Sequence, residues 1–145
     1  MRLVIQSVLT ASVMVEEEKV SQIGAGFLIL FGAGIGDTKE KAAYLAKKTA
    51  NLRIFADEQG KMNLSLLDTG REALVVSQFT LYGDCNKGNR PSFGEAMEPQ
   101  QANELYQYYM EQLKVHGVPV QAGVFQAEMQ VSLINNGPVT IIMER

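Results

Sequence analysis

The chain has 145 residues, 46% of them hydrophobic and 20% charged, with a formal net charge of −3. That size and balance suit one globular domain over 1–145 with a real core, and they exclude both a broad basic surface for coating nucleic acid and the ~20-residue apolar run of a membrane span. A lone cysteine, Cys85, and a lone histidine, His116, exclude an internal disulfide and a zinc cluster, so no cofactor or metal is expected.

At the N-terminus, Leu3 to Val8 and Ala11 to Val15 alternate as two strands, and polar Gln6 and Ser7 arrive too early for a secretion signal, which predicts a cytoplasmic protein. Glu16-Glu17-Glu18 reads as a charged turn, Lys19 to Ile23 resumes alternation, and Phe27 to Phe31 is a buried strand. After the glycines of Gly32-Ala33-Gly34-Ile35-Gly36, Asp37 is placed to cap a helix, with Glu40 at the capping-box position and the helix running to about Ala50. Leu52 to Phe55 predicts a short strand closed by the turn Asp57-Glu58-Gln59-Gly60. Leu74 to Phe79 predicts a strand buried on both faces, followed by a loop from Tyr82 to Met97.

Pro99 suits a first helical turn, and Ala102, Leu105, Tyr106, Tyr109 and Leu113 keep helical spacing up to a stop at Gly117. Strands return to the end, interrupted at Gly137-Pro138. Glycine tolerates unusual backbone and proline permits a cis bond, so the pair can form a rigid acceptor made of main chain. Asn136-Gly137 is also a strong hairpin signal, and on this tract alone a plain turn is the favoured reading, with the isomer open. Strands grouped at both ends with two separate helices indicate an α+β fold rather than a βαβ series.

Few residues stand out as catalysts. The glycines at 32–36 follow a strand and precede a helix, but the dinucleotide fingerprint needs glycine where Asp37 or Lys39 stands, so a tight connection is the better reading. His116 falls in the last turn of a helix, where a histidine complements free carbonyls, and Cys85 has Asp84, Asn86 and Lys87 beside it but no base. Glu16 to Glu18 read as a solvated turn, and Glu95 and Glu98 flank a helix start. What remains is Ser77-Gln78-Phe79-Thr80, where a hydrophobic strand ends in uncharged polar groups that can bind a carbonyl oxygen, a hydroxyl or a water. Lys87 and Arg90, on a glycine-softened loop, suit a phosphate.

Together these tracts resemble the D-aminoacyl-tRNA deacylase family nearly end to end, through Asn51-Leu52-Arg53-Ile54-Phe55, Lys61-Met62-Asn63-Leu64, Ser77-Gln78-Phe79-Thr80-Leu81, Arg90-Pro91-Ser92-Phe93, Met129-Gln130-Val131-Ser132-Leu133 and Asn136-Gly137-Pro138-Val139-Thr140. The resemblance implies a barrel-like β core with two main helices, and a homodimer in which the Gly-cis-Pro of one subunit enters the other's pocket. It implies hydrolysis of the ester joining a D-amino acid to the tRNA 3′ end, and of glycine mischarged on tRNA(Ala). Ser77, Gln78, Phe79 and Thr80 become catalytic candidates, and Met129, Asn136, Gly137, Pro138 and Thr140 substrate-binding ones, with Gly137 and Pro138 the filter against L-residues. Lys87 and Arg90 become tRNA contacts.

The resemblance further implies RNA-assisted catalysis, in which the terminal 2′-hydroxyl helps activate water; Thr80 as nucleophile ranks second, because no base adjoins it. Three positions depart from the family pattern: Ser7 stands where an arginine usually steadies the Gly-Pro motif, Asn136 replaces an aspartate, and Gln126 replaces a small residue. They point to an altered substrate range. A non-catalytic nucleic-acid binding module on the same scaffold is the competing reading, and a nucleotide-binding domain at Gly32 to Gly36 a third.

Overall fold

The computed structural model describes residues 1–145. β1 (Arg2–Val15) and β2 (Glu18–Ile23) form a hairpin closed by Glu16 and Glu17, both at positive φ (48° and 67°), the backbone that a tight two-residue connection demands. The sequence pattern reads two strands where the structure has one continuous β1. The break in alternation is a bulge: along the last strand, register shifts between Gln6 and Val8 and again between Val8 and Thr10, which leaves Leu9 52% exposed. The bulge also switches faces, so Leu3 and Ile5 pack in one core cluster while Val8, Ala11 and Val13 pack in another.

β3 (Gly26–Gly32) runs antiparallel to β1 and leads to α1 (Lys39–Ala50). The helix is capped by Thr38, whose side chain accepts from the Lys41 N–H, and not by Asp37. Asp37 is drawn inward instead, accepting from the Gly34 N–H at 2.7 Å and pairing with Lys41 and the N-terminal ammonium. β4 (Phe55–Ala56) is shorter and later than the strand expected over Leu52 to Phe55, and it pairs only with β5 (Met62–Leu64). A helical turn the pattern does not reveal, α2 (Leu66–Thr69), follows, held by a capping box between Ser65 and Asp68. β6 (Glu72–Ser77) lies parallel to β3, α3 (Pro99–Val115) begins with Pro99 as expected, β7 (Val120–Ala122) runs parallel to β6, and β8 (Gln130–Glu144) closes the chain.

The strands form a six-stranded sheet in the order β2-β1-β3-β6-β7, with β8 on β1. The sheet curls until β2 lies against β6 and β7, giving the barrel-like α+β architecture expected. β3 and β6 are buried on both faces: Phe27, Ile29, Ala73 and Val75 look toward the helices, and Leu28, Leu74 and Val76 look the other way. Each large apolar side chain so buried stabilises the fold by about 1.5–3 kcal/mol. Two tyrosines of α3 tie the layers: Tyr109 meets Thr49 of α1 at 2.9 Å, and Tyr106 donates to the Val75 carbonyl at 2.8 Å. No helix is long and apolar enough to cross a membrane.

Candidate active site

The sheet creates the site by letting one buried strand end early. Ala73 to Val76 are buried, Ser77 is half-buried, and the Gln78 N–H makes a last ladder bond to the Phe31 carbonyl at 2.7 Å. Gln78 then turns the chain (φ −148°, ψ 80°) into a single 3₁₀ turn, Phe79–Tyr82, where the sequence pattern continues the strand to Phe79. Leu81 and Gly83 donate back to the carbonyls of Gln78 and Thr80 at 3.2 and 3.0 Å. The first N–H groups of such a turn have no acceptor within it, which leaves those of Phe79 and Thr80 available to an incoming oxygen. The Gln78 amide donates to the Thr80 hydroxyl, and both Phe79 and Thr80 are exposed.

Ser77, Gln78 and Phe79 floor a cavity of about 760 Å³. Its walls are mostly apolar, from Phe31, Val76, Phe93, Phe125, Met129 and Val131. Phe93 reaches the rim by an edge contact with Phe79, centroids 5.0 Å apart. One ionisable side chain lines the cavity, Glu98, and its carboxylate is occupied as the N-cap of α3, accepting from the N–H groups of Gln100 and Gln101 at 3.1 and 3.3 Å. Gln126 also lines the wall, in left-handed backbone at φ +60°. The Met129 sulfur accepts the Val124 N–H at 3.3 Å, which folds the loop after β7 against the cavity.

Of the residues singled out in the sequence, Ser77, Gln78, Phe79 and Met129 thus share one cavity, with Thr80 on the adjoining turn. Asn136, Gly137, Pro138 and Thr140 do not line it. They belong to β8, which is one strand and not the two strands with a hairpin turn that Asn136-Gly137 suggests. β8 pairs with β1 on either side of the motif, Gln6 with Thr140 and Val8 with Asn135, so residues 136–139 oppose Ser7 alone and are extruded from the ladder. Within this loop the Gly137–Pro138 peptide is cis, and Gly137 sits at φ +123°, where an added Cβ would lie 2.6 Å from Val139 Cγ2 and 3.0 Å from Val139 N. Asn136, Gly137 and Pro138 are exposed.

Two residues that the sequence reading gives no role hold these features. Asn135 donates from its amide to the carbonyls of Ser7 (3.3 Å) and Val139 (3.1 Å), closing the neck of the extruded loop over buried Ser7. Arg2 donates to the Leu81 carbonyl at 2.9 Å and lies over the Tyr82 ring. Tyr82 in turn donates to Asp37 at 3.3 Å. Burial pushes the Asp37 carboxyl up, but the hydrogen bonds from the N-terminal ammonium, Gly34 and Lys41 outweigh it and hold the group below the usual range. Burial and the nearby Asp37 charge push the Tyr82 phenol well up, so it stays a donor. Lys87 and Arg90 occupy an exposed loop pinned at its neck by the Asp84–Ser92 bridge, apart from the cavity lining.

A family model described as D-Tyr-tRNA(Tyr) deacylase matches residues 4–144. A protein of Geobacter sp. (strain M21) named D-aminoacyl-tRNA deacylase is 56% identical over 144 residues, covering 99% of this chain and 97% of its own. One of the same name from Thermosipho africanus is 54% identical, with 99% and 97% covered. Among solved structures, the c-Myc DNA Unwinding Element Binding Protein superposes with TM-score 0.94 at 42% identity, covering 100% of this chain and 99% of its own. A probable eukaryotic D-amino acid tRNA deacylase shares the fold at TM-score 0.82 and 17% identity, with 98% and 97% covered.

Proposed function

The chain belongs to the D-Tyr-tRNA(Tyr) deacylase family, and we propose that it is an editing hydrolase that cleaves the ester joining a D-amino acid to tRNA. The observation that carries the reading is a cavity whose floor offers donors but no free base: its one carboxylate, Glu98, is committed to capping a helix. Such a site binds and orients an ester and leaves activation of water to the substrate. The N–H groups of Phe79 and Thr80 receive the oxyanion, Gln78 holds the Thr80 hydroxyl, and the 2′-hydroxyl of the terminal adenosine assists the attacking water. Thr80 as nucleophile ranks second, because its hydroxyl accepts from an amide that cannot take its proton.

Gly137 and Pro138 form the chirality filter and act on a partner subunit's cavity, in a homodimer whose sites lie at the interface. Their exposure and their absence from the chain's own cavity lining support this. Main chain fills the space an L side chain needs and receives the substrate ammonium, with Asn136, Thr140 and Met129 around it. Glycine, which has no side chain to exclude, passes too, so glycine mischarged on tRNA(Ala) is a second substrate. Lys87 and Arg90 take tRNA phosphates, and the protein works in the cytoplasm as a single domain. At position 7, where the family resemblance leads to an arginine, this chain has Ser7, whose carbonyl holds the Asn135 amide; the filter keeps a brace through Asn135.

The test incubates purified protein with D-tyrosyl-tRNA and L-tyrosyl-tRNA. Catalytic release of D-tyrosine alone is expected, and no release at substoichiometric protein overturns the reading. A terminal 2′-deoxyadenosine slows hydrolysis by orders of magnitude, while Thr80→Ala slows it less; the opposite order favours the nucleophile.

The name of the solved relative at 42% identity favours a second reading, a DNA-binding module. The net charge of −3 opposes it, since duplex binding rests on a basic surface. Retention of duplex DNA at 0.15 M salt without ester hydrolysis is the result that selects it.

A further inference from the structure

We propose that Arg2 is a positioning residue for deacylation, setting the aim of the 3₁₀ turn that carries Phe79 and Thr80; this rests on the hydrolase reading above. A single 3₁₀ turn has poor hydrogen-bond geometry and cannot orient itself. This one has no side-chain cap at its start, and two of its four residues, Phe79 and Thr80, are exposed. Its direction must therefore come from its fastenings. At the entrance there are two, the Gln78 N–H on the Phe31 carbonyl and the edge contact of Phe79 with Phe93. At the exit there is a set: Arg2 Nη1 donates to the Leu81 carbonyl at 2.9 Å, its guanidinium carbon lies 4.6 Å from the Tyr82 ring centroid, and the Tyr82 hydroxyl reaches Asp37. A cation on a carbonyl at the C-terminal end of a helical turn is electrostatically favourable, and here it fastens the end of the turn to β1.

The same side chain reaches the other half of the site. Arg2 Nε pairs with Glu144 at 3.0 Å, on the strand that carries Gly137 and Pro138. One planar fork therefore meets a carbonyl, a carboxylate and a ring face together, which a lysine ammonium cannot reproduce. Arg2 is half-exposed, so its worth to global stability is small, while a tilt of the turn by about 1 Å at the oxyanion donors costs about 100-fold in rate.

The experiment compares wild type, Arg2→Ala, Arg2→Lys and Glu144→Gln by steady-state hydrolysis of D-tyrosyl-tRNA and by amide hydrogen exchange. Arg2→Ala is expected to lower kcat by about 10- to 100-fold with KM within about twofold. Arg2→Lys recovers part of the loss, free guanidinium salt recovers part of the loss in Arg2→Ala, and Glu144→Gln, which weakens one of the three contacts of the fork, lowers kcat by less than Arg2→Ala does. Exchange at Leu81 and Gly83 speeds up by about tenfold in Arg2→Ala, while amides of α1 and α3 keep their protection. Unchanged kcat overturns the proposal, as does a lowered kcat with unchanged exchange at Leu81 and Gly83, or a loss accounted for entirely by a lowered Tm. Should wild type itself hydrolyse nothing, the hydrolase reading falls with the deacylation role, and the exchange arm alone decides whether Arg2 holds the turn.

Discussion

Two short interruptions of β structure, the Phe79–Tyr82 turn and the loop over residues 136–139, are held in opposite ways. The turn is fastened inward, by Phe31 at one end and by Arg2, Tyr82 and Asp37 at the other, and its first residue floors the chain's own cavity. The loop is extruded from an edge strand, and the Asn135 side chain closes its neck. Asn136, Gly137 and Pro138 are exposed, and none of them lines that cavity. The turn is thus held within the body of the chain, whereas the loop stands exposed on its surface.

Perturbing the loop should separate specificity from stability. In Gly137→Ala the new Cβ meets Val139 within 3.0 Å at φ +123°, so the loop must rebuild. Discrimination between D- and L-tyrosyl-tRNA, measured as the ratio of kcat/KM values, is expected to fall by about 100-fold or more. Because the loop is exposed, Tm should hardly move; a large drop in Tm with specificity intact would show that the loop serves its own chain after all. Perturbing the turn should do the reverse. In Gly34→Ala the Cβ would lie 2.5 Å from Tyr82 ring atoms, in a half-buried knot that cannot yield freely. A destabilisation of about 1–3 kcal/mol by urea titration is expected, together with slower hydrolysis of the D-substrate at unchanged L-rejection.

Asn135→Ala removes two hydrogen bonds at the loop's neck and should cost about 1–2 kcal/mol in unfolding free energy, with a several-fold leak of L-tyrosyl-tRNA hydrolysis. The smallest effect is on pH dependence. The Asp37 carboxyl is held below its ordinary value in the fold, so its contribution is fully present above the unfolded-state value near 4 and is lost as pH falls through the folded one. At the other extreme burial raises the Tyr106 phenol to about 12, so its contribution is intact below pH ~10 and is lost as pH rises toward 12. A stability curve by thermal melting should therefore be flat from about pH 5 to 9, and Asp37→Asn should remove part of the acid slope only.

Much of the fold was legible. Alternation and apolar runs located the strands around Leu3, Ile23 and Phe27 to Phe31, and the helical spacing of Leu105, Tyr106, Tyr109 and Leu113 located α3, because burial of a face imposes a period on the sequence. The cavity floor was legible too, because a buried run that breaks into Ser77 and Gln78 marks where a strand leaves the core. The misreadings have local causes. Asp37 has the chemistry of a cap but is drawn to Gly34 and Lys41, leaving Thr38 to cap α1. Asn136-Gly137 has the chemistry of a hairpin turn, but β1 pairs on both sides of it and keeps β8 one strand.

Read without a structure, the chain already specifies the α+β class, the two long helices and the tracts Ser77 to Thr80 and Asn136 to Thr140, since propensity, period and turn chemistry act over a few residues. How those tracts are held and which way they face emerges only in the folded molecule. Arg2 finds Leu81 across 79 positions, and Asn135 finds Ser7 across 128. Contacts that distant leave no local pattern, because they exist only once the sheet has curled and brought the two ends of the chain side by side.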